Sequence, residues 1–204
     1  WSDELIATIA ECDKVAKYVD MPLQHIHPRM LDLMRRETSS EHIVNLVDRI
    51  RAGIPGIAIR TTFIVGAPGE TDEEFEYLLD FLKEAEIDRL GCFAYSPVEG
   101  ATANDLPDPV PEELREERRG RVMELQEEIS KKRLQAKVGK TMRVLIDEVE
   151  RNGSGIGRSS ADAPEIDGVV YVKAPYEPHR KLKVGEFVDV EVNAADAHDL
   201  WAAA

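Results

Sequence analysis

The chain has 204 residues, 43% of them hydrophobic and 32% charged, with a formal net charge of −14. That is enough apolar material for one large domain or two small ones. The acidic balance argues against a simple nucleic-acid clamp, which draws on clustered Lys and Arg. The apolar runs are too short for a transmembrane helix, and nothing resembles a signal peptide. Cys12 and Cys92, the two cysteines, exclude a disulfide framework, a zinc ribbon and any iron–sulfur cluster built from this chain alone, so a reduced, cytoplasmic protein is expected. The start at Trp1-Ser2-Asp3, without Met, is expected of a piece of a longer protein or of a processed terminus.

In chain order, a helix is predicted over about Asp3–Lys17. Three apolar runs, Tyr18–Leu23, Ile57–Val65 and Leu90–Tyr95, have the length of buried strands, and their unbroken apolarity is what a parallel sheet covered on both faces requires. Between them Ser40 can cap a helix carrying Ile43, Leu46, Val47 and Ile50 on one stripe, stopped by Gly53 and Pro55. Thr71 with Glu74 reads as a capping box ahead of Phe75, Leu78, Leu79 and Leu82 at helical spacing. This alternation predicts parallel strands with crossover helices, part of a βα barrel or an open doubly wound sheet. Pro107, Pro109 and Pro111 then punctuate an acidic linker. Pro111 suits the first turn of a long helix running to about Lys137, with Leu114, Val122, Leu125 and Ile129 as its apolar stripe and its charges expected on a solvated face.

From Val138 the period changes to two. Thr141–Glu150, Gly168–Lys173 and Glu186–Ala194 alternate apolar and polar residues, most clearly at Val188, Val190 and Val192. Asn152-Gly153 and the Gly155/Gly157 stretch are expected to supply turns. This predicts a small all-β domain, barrel or OB-like, ending near Leu200-Trp201. The domains expected are thus 1–106, a linker and helix over 107–137, and 138–204. The last carries 8 Lys and Arg against 12 Asp and Glu.

Chemistry is expected where strands end. Arg60-Thr61-Thr62 sits on an otherwise apolar strand that runs into Gly66-Ala67-Pro68-Gly69-Glu70, a turn at a helix N-terminus where a ligand can approach backbone closely. The turn lacks the Gly-Lys-Ser/Thr of a phosphate loop and the dinucleotide spacing, and as a plain turn Glu70 would only feed the helix dipole. Gln24, His25 and His27 follow the first strand. The two histidines alternate as metal ligands do, but no third ligand is near, so a metal is not expected; Gln24 suits hydrogen bonding to a neutral cofactor group. Tyr95-Ser96 ends the third strand. Ser96 has no nucleophile elbow or paired base, which disfavours a serine hydrolase. Tyr95 could line a pocket or the core, and Arg35-Arg36 could meet a carboxylate or stand free at a helix end. Three polar strand ends on one rim predict a ligand pocket without naming a reaction.

Three segments, PLQHIHPRMLDLMRR (22–36), TTFIVGAPGETDEEF (61–75) and FAYSPVEGATA (93–103), resemble the radical S-adenosylmethionine methylthiotransferases, and the β region is similar to their TRAM domain. The resemblance covers essentially the whole chain and matches the carboxyl portion of such an enzyme. It implies a partial radical-SAM βα barrel, α/β with about three parallel strands, followed by a small OB-like TRAM domain. Gln24-His25, Thr61-Thr62 and the stretch from Gly157-Arg158-Ser159 through Ala161–Gly168 to Asp199-Leu200-Trp201 resemble the branch that modifies an aspartate β-carbon of small-subunit ribosomal protein twelve, rather than the branch that modifies a tRNA adenosine. The family implies S-adenosylmethionine as cofactor, with Gln24, Arg60, Thr62, Gly66, Gly69, Glu70 and Tyr95 as its candidate contacts. It also implies two 4Fe-4S clusters whose cysteine ligands lie outside this chain, no metal ligand and no assigned catalytic residue within it, and inactivity of this piece alone. An acidic TRAM surface would suit a basic ribosomal protein as partner, with tRNA less favoured and no membrane association. Ala67, Glu37 and Ala101 depart from the residues usual in the family. A non-catalytic binding module on a decayed barrel is the remaining alternative. A cut barrel would also leave an unpaired strand edge, for which marginal solubility is expected.

Overall fold

The computed structural model describes residues 1–175 and 181–204. Contacts divide them into two compact units, Trp1–Asp13 with Val19–Gln126, and Lys14–Tyr18 with Glu127–Ala204. No described helix is long and apolar enough to cross a membrane.

The first unit is built around a parallel three-stranded sheet of β1 (Tyr18–Asp20), β2 (Ala58–Val65) and β3 (Arg89–Ala94), with β2 in the centre. Beyond the end of β1 the pairing resumes at Gln24, which bridges Phe63 in parallel. Helix α1 (Asp3–Glu11) stops short of the expected Lys17; past Cys12 the only large apolar side chain before the sheet, Val15, is exposed, so nothing drives further packing. A six-residue helix, α2 (Pro28–Leu33), follows β1 and ends just before Arg35-Arg36. Helix α3 (Ser40–Gly53) is capped by Ser39, whose hydroxyl accepts the His42 N–H at 3.2 Å. Ser40, the expected cap, instead turns inward and donates to the Ile26 carbonyl. Helix α4 (Asp72–Ala85) carries both arms of the Thr71–Glu74 capping box.

The sheet is not covered on both faces as expected. Val19, Met21, Leu23, Ile59, Phe63, Val65 and Cys92 face the helices and join two buried apolar clusters with Ile43, Leu46, Val47, Ile50, Phe75, Leu78 and Leu82. Alternate residues Arg60, Thr62 and Ile64 are only half-buried, and Phe93, opposite Ile64, is 64% exposed. Strand parity therefore sorts a packed face from an open, partly polar one. Helix α5 (Glu112–Gln135) follows the linker, its stripe residue Val122 fully buried.

The second unit contains a closed barrel of β4 (Thr141–Val149), β5 (Gly155–Ser159), β6 (Val170–Lys173), β7 (Phe187–Ala195) and β8 (Leu200–Ala203), in the order β4-β5-β6-β8-β7. Its inward residues, among them Val144, Ile146, Val170, Val172, Val190, Val192 and Leu200, form one core. The Gly155/Gly157 stretch is strand β5, not the expected turn. A Cβ on Gly157 would overlap the Leu145 carbonyl oxygen, so glycine is what lets β5 pass this close to β4.

Candidate functional site

A cavity of about 270 Å³ opens in the first unit. Met30, Leu33 and Met34 line it from α2 and its C-cap; Ile64, Ala67 and Pro68 line it from the end of β2 and the following turn. Gln24, Arg36 and Tyr95 supply its polar groups. Gln24 stands at φ 70°, the left-handed region that non-glycine residues rarely occupy. Its main chain is held on both sides, its N–H donating to the Thr62 carbonyl (2.9 Å) and its carbonyl accepting from Ile64 (2.8 Å), while its side-chain amide has no hydrogen-bond partner among the described residues. A strained backbone that presents an unpaired amide to a cavity points to ligand contact. Tyr95 donates its hydroxyl to Asn104 Oδ1 at 2.7 Å. Arg36 donates to the Pro22 carbonyl at 2.8 Å beside the cavity, rather than meeting a carboxylate.

Of the residues singled out in the sequence, the structure brings Gln24 and Tyr95 together at the cavity. Thr62 and Arg60 share the open face of the sheet but lie further back along β2, where Arg60 pairs with Asp20 at 2.5 Å. Gly66, Gly69 and Glu70 form the turn whose middle residues reach the cavity, yet none of the three lines it. Glu70 is buried: its Oε1 accepts the Gly66 N–H (2.9 Å) and the Arg118 guanidinium (2.7 Å). This exceeds the dipole role that a plain turn would give it.

The two histidines are not paired toward one point. His25 is fully buried, and its Nδ1 accepts the His27 N–H at 3.0 Å, which places the ring proton of the neutral form on Nε2, 3.4 Å from Glu70 Oε2. His27 faces Glu74 at 3.2 Å. Among the described residues no group of three or more His, Cys, Asp or Glu is placed to hold a metal. Burial pushes the Cys92 thiol up to about 12, which makes it an inert core residue.

Sequence reasoning missed Arg29, Arg115 and Arg118. The expectation of a solvated charged face on α5 fails at Arg118, which is 3% exposed. Its position held a signal: residue 118 falls in helical phase with Leu114, Val122, Leu125 and Ile129, so an arginine interrupts the apolar stripe and must find a buried partner.

In the barrel, register aligns Ile156, Tyr171, Trp201 and Ala194 across four adjacent strands on the outer surface. The Tyr171 and Trp201 rings stack with centroids 5.5 Å apart.

Residues 1–82 match the Radical SAM superfamily and residues 138–204 match the TRAM domain. Over 99% of its length the chain is 72% identical to the ribosomal protein uS12 methylthiotransferase RimO of Janthinobacterium sp. (strain Marseille). It is 71% identical to the protein of the same name from Herminiimonas arsenicoxydans, and 58% identical, over 98% of its length, to that from Ralstonia nicotianae. The chain is thus similar to these proteins across both its radical SAM and its TRAM segment. It spans 44% of the length of each of these relatives. The superfamily uses S-adenosylmethionine with iron–sulfur chemistry, and the cavity suits an adenosyl group: apolar walls accept a neutral aromatic ring, and the free Gln24 amide can read its polar edge without adding charge.

Proposed function

We propose that this chain is the carboxyl-side part of a cytoplasmic radical S-adenosylmethionine enzyme that methylthiolates the β-carbon of an aspartate in ribosomal protein uS12. The observation that carries the reading is 72% identity, over 99% of the chain, to a protein named as a ribosomal protein uS12 methylthiotransferase. On this reading residues 1–106 form the cofactor-facing part of the barrel, 107–137 connect, and 138–204 dock the substrate protein. S-adenosylmethionine, when bound, supplies the radical and methyl chemistry, with two 4Fe-4S clusters held by cysteines outside this chain. Gln24 and Tyr95 would contact the adenosyl group directly. Thr62 and Arg60 lie on the same open sheet face and would meet its more distant parts. Gly66, Gly69 and Glu70 act through the turn that presents Ala67 and Pro68. The chain by itself is expected to be inactive.

The acidic excess of residues 138–204 supports a basic protein as partner over tRNA. The Tyr171–Trp201 pair is the aromatic anchor we assign to that contact. Deleting the gene that encodes this chain should remove the mass of one methylthio group from uS12 in purified ribosomes, and restoring it should return that mass. Unchanged uS12 together with loss of a methylthio group from tRNA adenosine would overturn the reading. In a pull-down with this chain, Trp201→Ala should weaken uS12 capture; equal capture of tRNA and uS12 by the unaltered chain would remove the partner assignment.

A further inference from the structure

Three arginines from separate positions in the first unit close on the six residues between β2 and α4. Arg29, in α2, donates Nη2 to the Gly69 carbonyl and to Glu74 Oε2 (2.7 Å), and Nε to Glu74 Oε1 (2.5 Å). Arg118 donates Nη1 to the Glu70 carboxylate (2.7 Å) and carbonyl (3.1 Å), and Nη2 to Asp72 (2.6 Å). Arg115 donates to the Tyr95 carbonyl, and its stem fills the space that a Cβ on Gly66 would occupy. Gly66 stands at φ 72°, so both its conformation and its neighbour demand glycine. The Glu70 carboxylate closes the loop by returning to the Gly66 N–H. None of the three arginines lines the cavity, whereas Ala67 and Pro68, inside the braced turn, and Tyr95, whose carbonyl is held, all do.

We propose that Arg29, Arg115 and Arg118 are positioning residues for S-adenosylmethionine: they hold the Gly66–Thr71 turn and Tyr95 at the spacing the adenosyl group requires. The inference rests on the cofactor reading given above. Its physical basis is that a buried ion pair is a weak source of net stability, since an apolar replacement of equal volume often serves as well. A guanidinium fork fixes backbone carbonyls in direction as well as distance, which an ammonium does not. The brace is therefore better matched to holding a geometry than to holding the fold. Arg118→Lys and Arg115→Lys separate the two roles, because they keep the charge and lose the fork.

The test uses the full-length protein that contains this chain, with its clusters reconstituted. S-adenosylmethionine affinity is read by equilibrium dialysis, and the unfolding temperature is read without cofactor. Ile50→Ala, in the apolar cluster under α3, serves as a variant destabilised away from the turn. The expected result is roughly tenfold weaker binding in each lysine variant, with Ile50→Ala binding as the unaltered protein does despite a lower unfolding temperature. Unchanged affinity in both lysine variants would overturn the inference and leave the cofactor reading standing. Equal weakening by Ile50→Ala would also overturn it, by reducing the brace to general stability. Failure of the unaltered protein to bind S-adenosylmethionine would remove the cofactor reading, and this inference with it.

Discussion

The parallel sheet and the β barrel solve the burial of strands in opposite ways. Among the described residues 138–204 the buried polar residues are Ser159 and Asp162, which hydrogen-bond each other at 2.6 Å, and the inward side chains of the barrel are otherwise apolar. Closure pairs every strand on both sides, so neither backbone nor side chains are left to be satisfied by charge. The sheet has two margins and an open face, and its unit buries His25, Glu70, Glu74 and Arg118 around a single turn. Buried charge is expensive unless paired, so its concentration at one place marks where the unit maintains a particular shape. The barrel encloses an apolar core; the sheet unit presents a cavity whose wall is braced from behind.

The sharpest way to break this contrast is Arg118→Met. It leaves the Glu70 carboxylate buried without its guanidinium, for an expected loss of about 3–5 kcal/mol in the sheet unit. Hydrogen exchange should show faster opening of α4 and β2, with the barrel strands unchanged. An Arg118→Met, Glu70→Gln double variant should recover part of that loss, because it removes both charges while Gln can still accept the Gly66 N–H. A barrel core variant should behave differently. Ile146→Ala deletes apolar volume at a fully buried site and is expected to lose about 2–5 kcal/mol. No second substitution of charge should rescue it, and denaturant unfolding followed at Trp201 would measure the loss.

What was legible in the sequence follows the same division. Unbroken apolar runs located the strands of the sheet, and apolar periodicity the barrel strands at Thr141 and Phe187 and the stripe of α5, because these patterns record burial directly. The Thr71–Glu74 capping box was legible because it is local, with both partners within one turn. Strand β5 was misread because its glycines look like turn formers when considered alone; only the approach of the Leu145 carbonyl, across the β4–β5 pair, explains Gly157. The burial of Arg118 escapes the sequence for a similar reason: its partner Glu70 lies 48 residues away, and period alone cannot supply a counter-ion. The cavity was partly legible, since Gln24 and Tyr95 stand at strand ends, but the apolar wall from α2 came from a helix too short to carry a periodic signal.

A smaller effect concerns acid. Burial alone would raise the Glu74 carboxyl, but hydrogen bonds from Arg29 and the Thr71 N–H, with the charges of Arg29 and His27, hold it at about 2 against an ordinary value of 4.5. A depressed folded-state value means that its contribution is fully present above 4.5 and is lost as the pH falls toward 2. The sheet unit should therefore lose stability across that window. Arg29→Met should move the loss to higher pH, because burial then acts on Glu74 with less opposition. Thr71→Ala should cost about 1 kcal/mol at neutral pH through the lost cap, while Arg29 still holds Glu74. Acid titrations of the two variants, followed by the helical signal, distinguish these outcomes.

The smallest effect belongs to the barrel surface. Phe187 is 60% exposed, and its contact is the Arg143 guanidinium, 4.8 Å from the ring centroid. An exposed cation–π pair contributes on the order of 0.5–1 kcal/mol, and little apolar area is withdrawn from water there. Phe187→Ser should consequently change barrel stability by no more than about 1 kcal/mol, although it places a weak strand former in β7. The closed hydrogen-bond ladder, with β4 on one side and β8 on the other, keeps the backbone of β7 paired whatever the side chain. A loss comparable to that of Ile146→Ala would mean that the outer surface carries the barrel together, and the contrast between its apolar interior and the charged brace of the sheet unit would no longer hold.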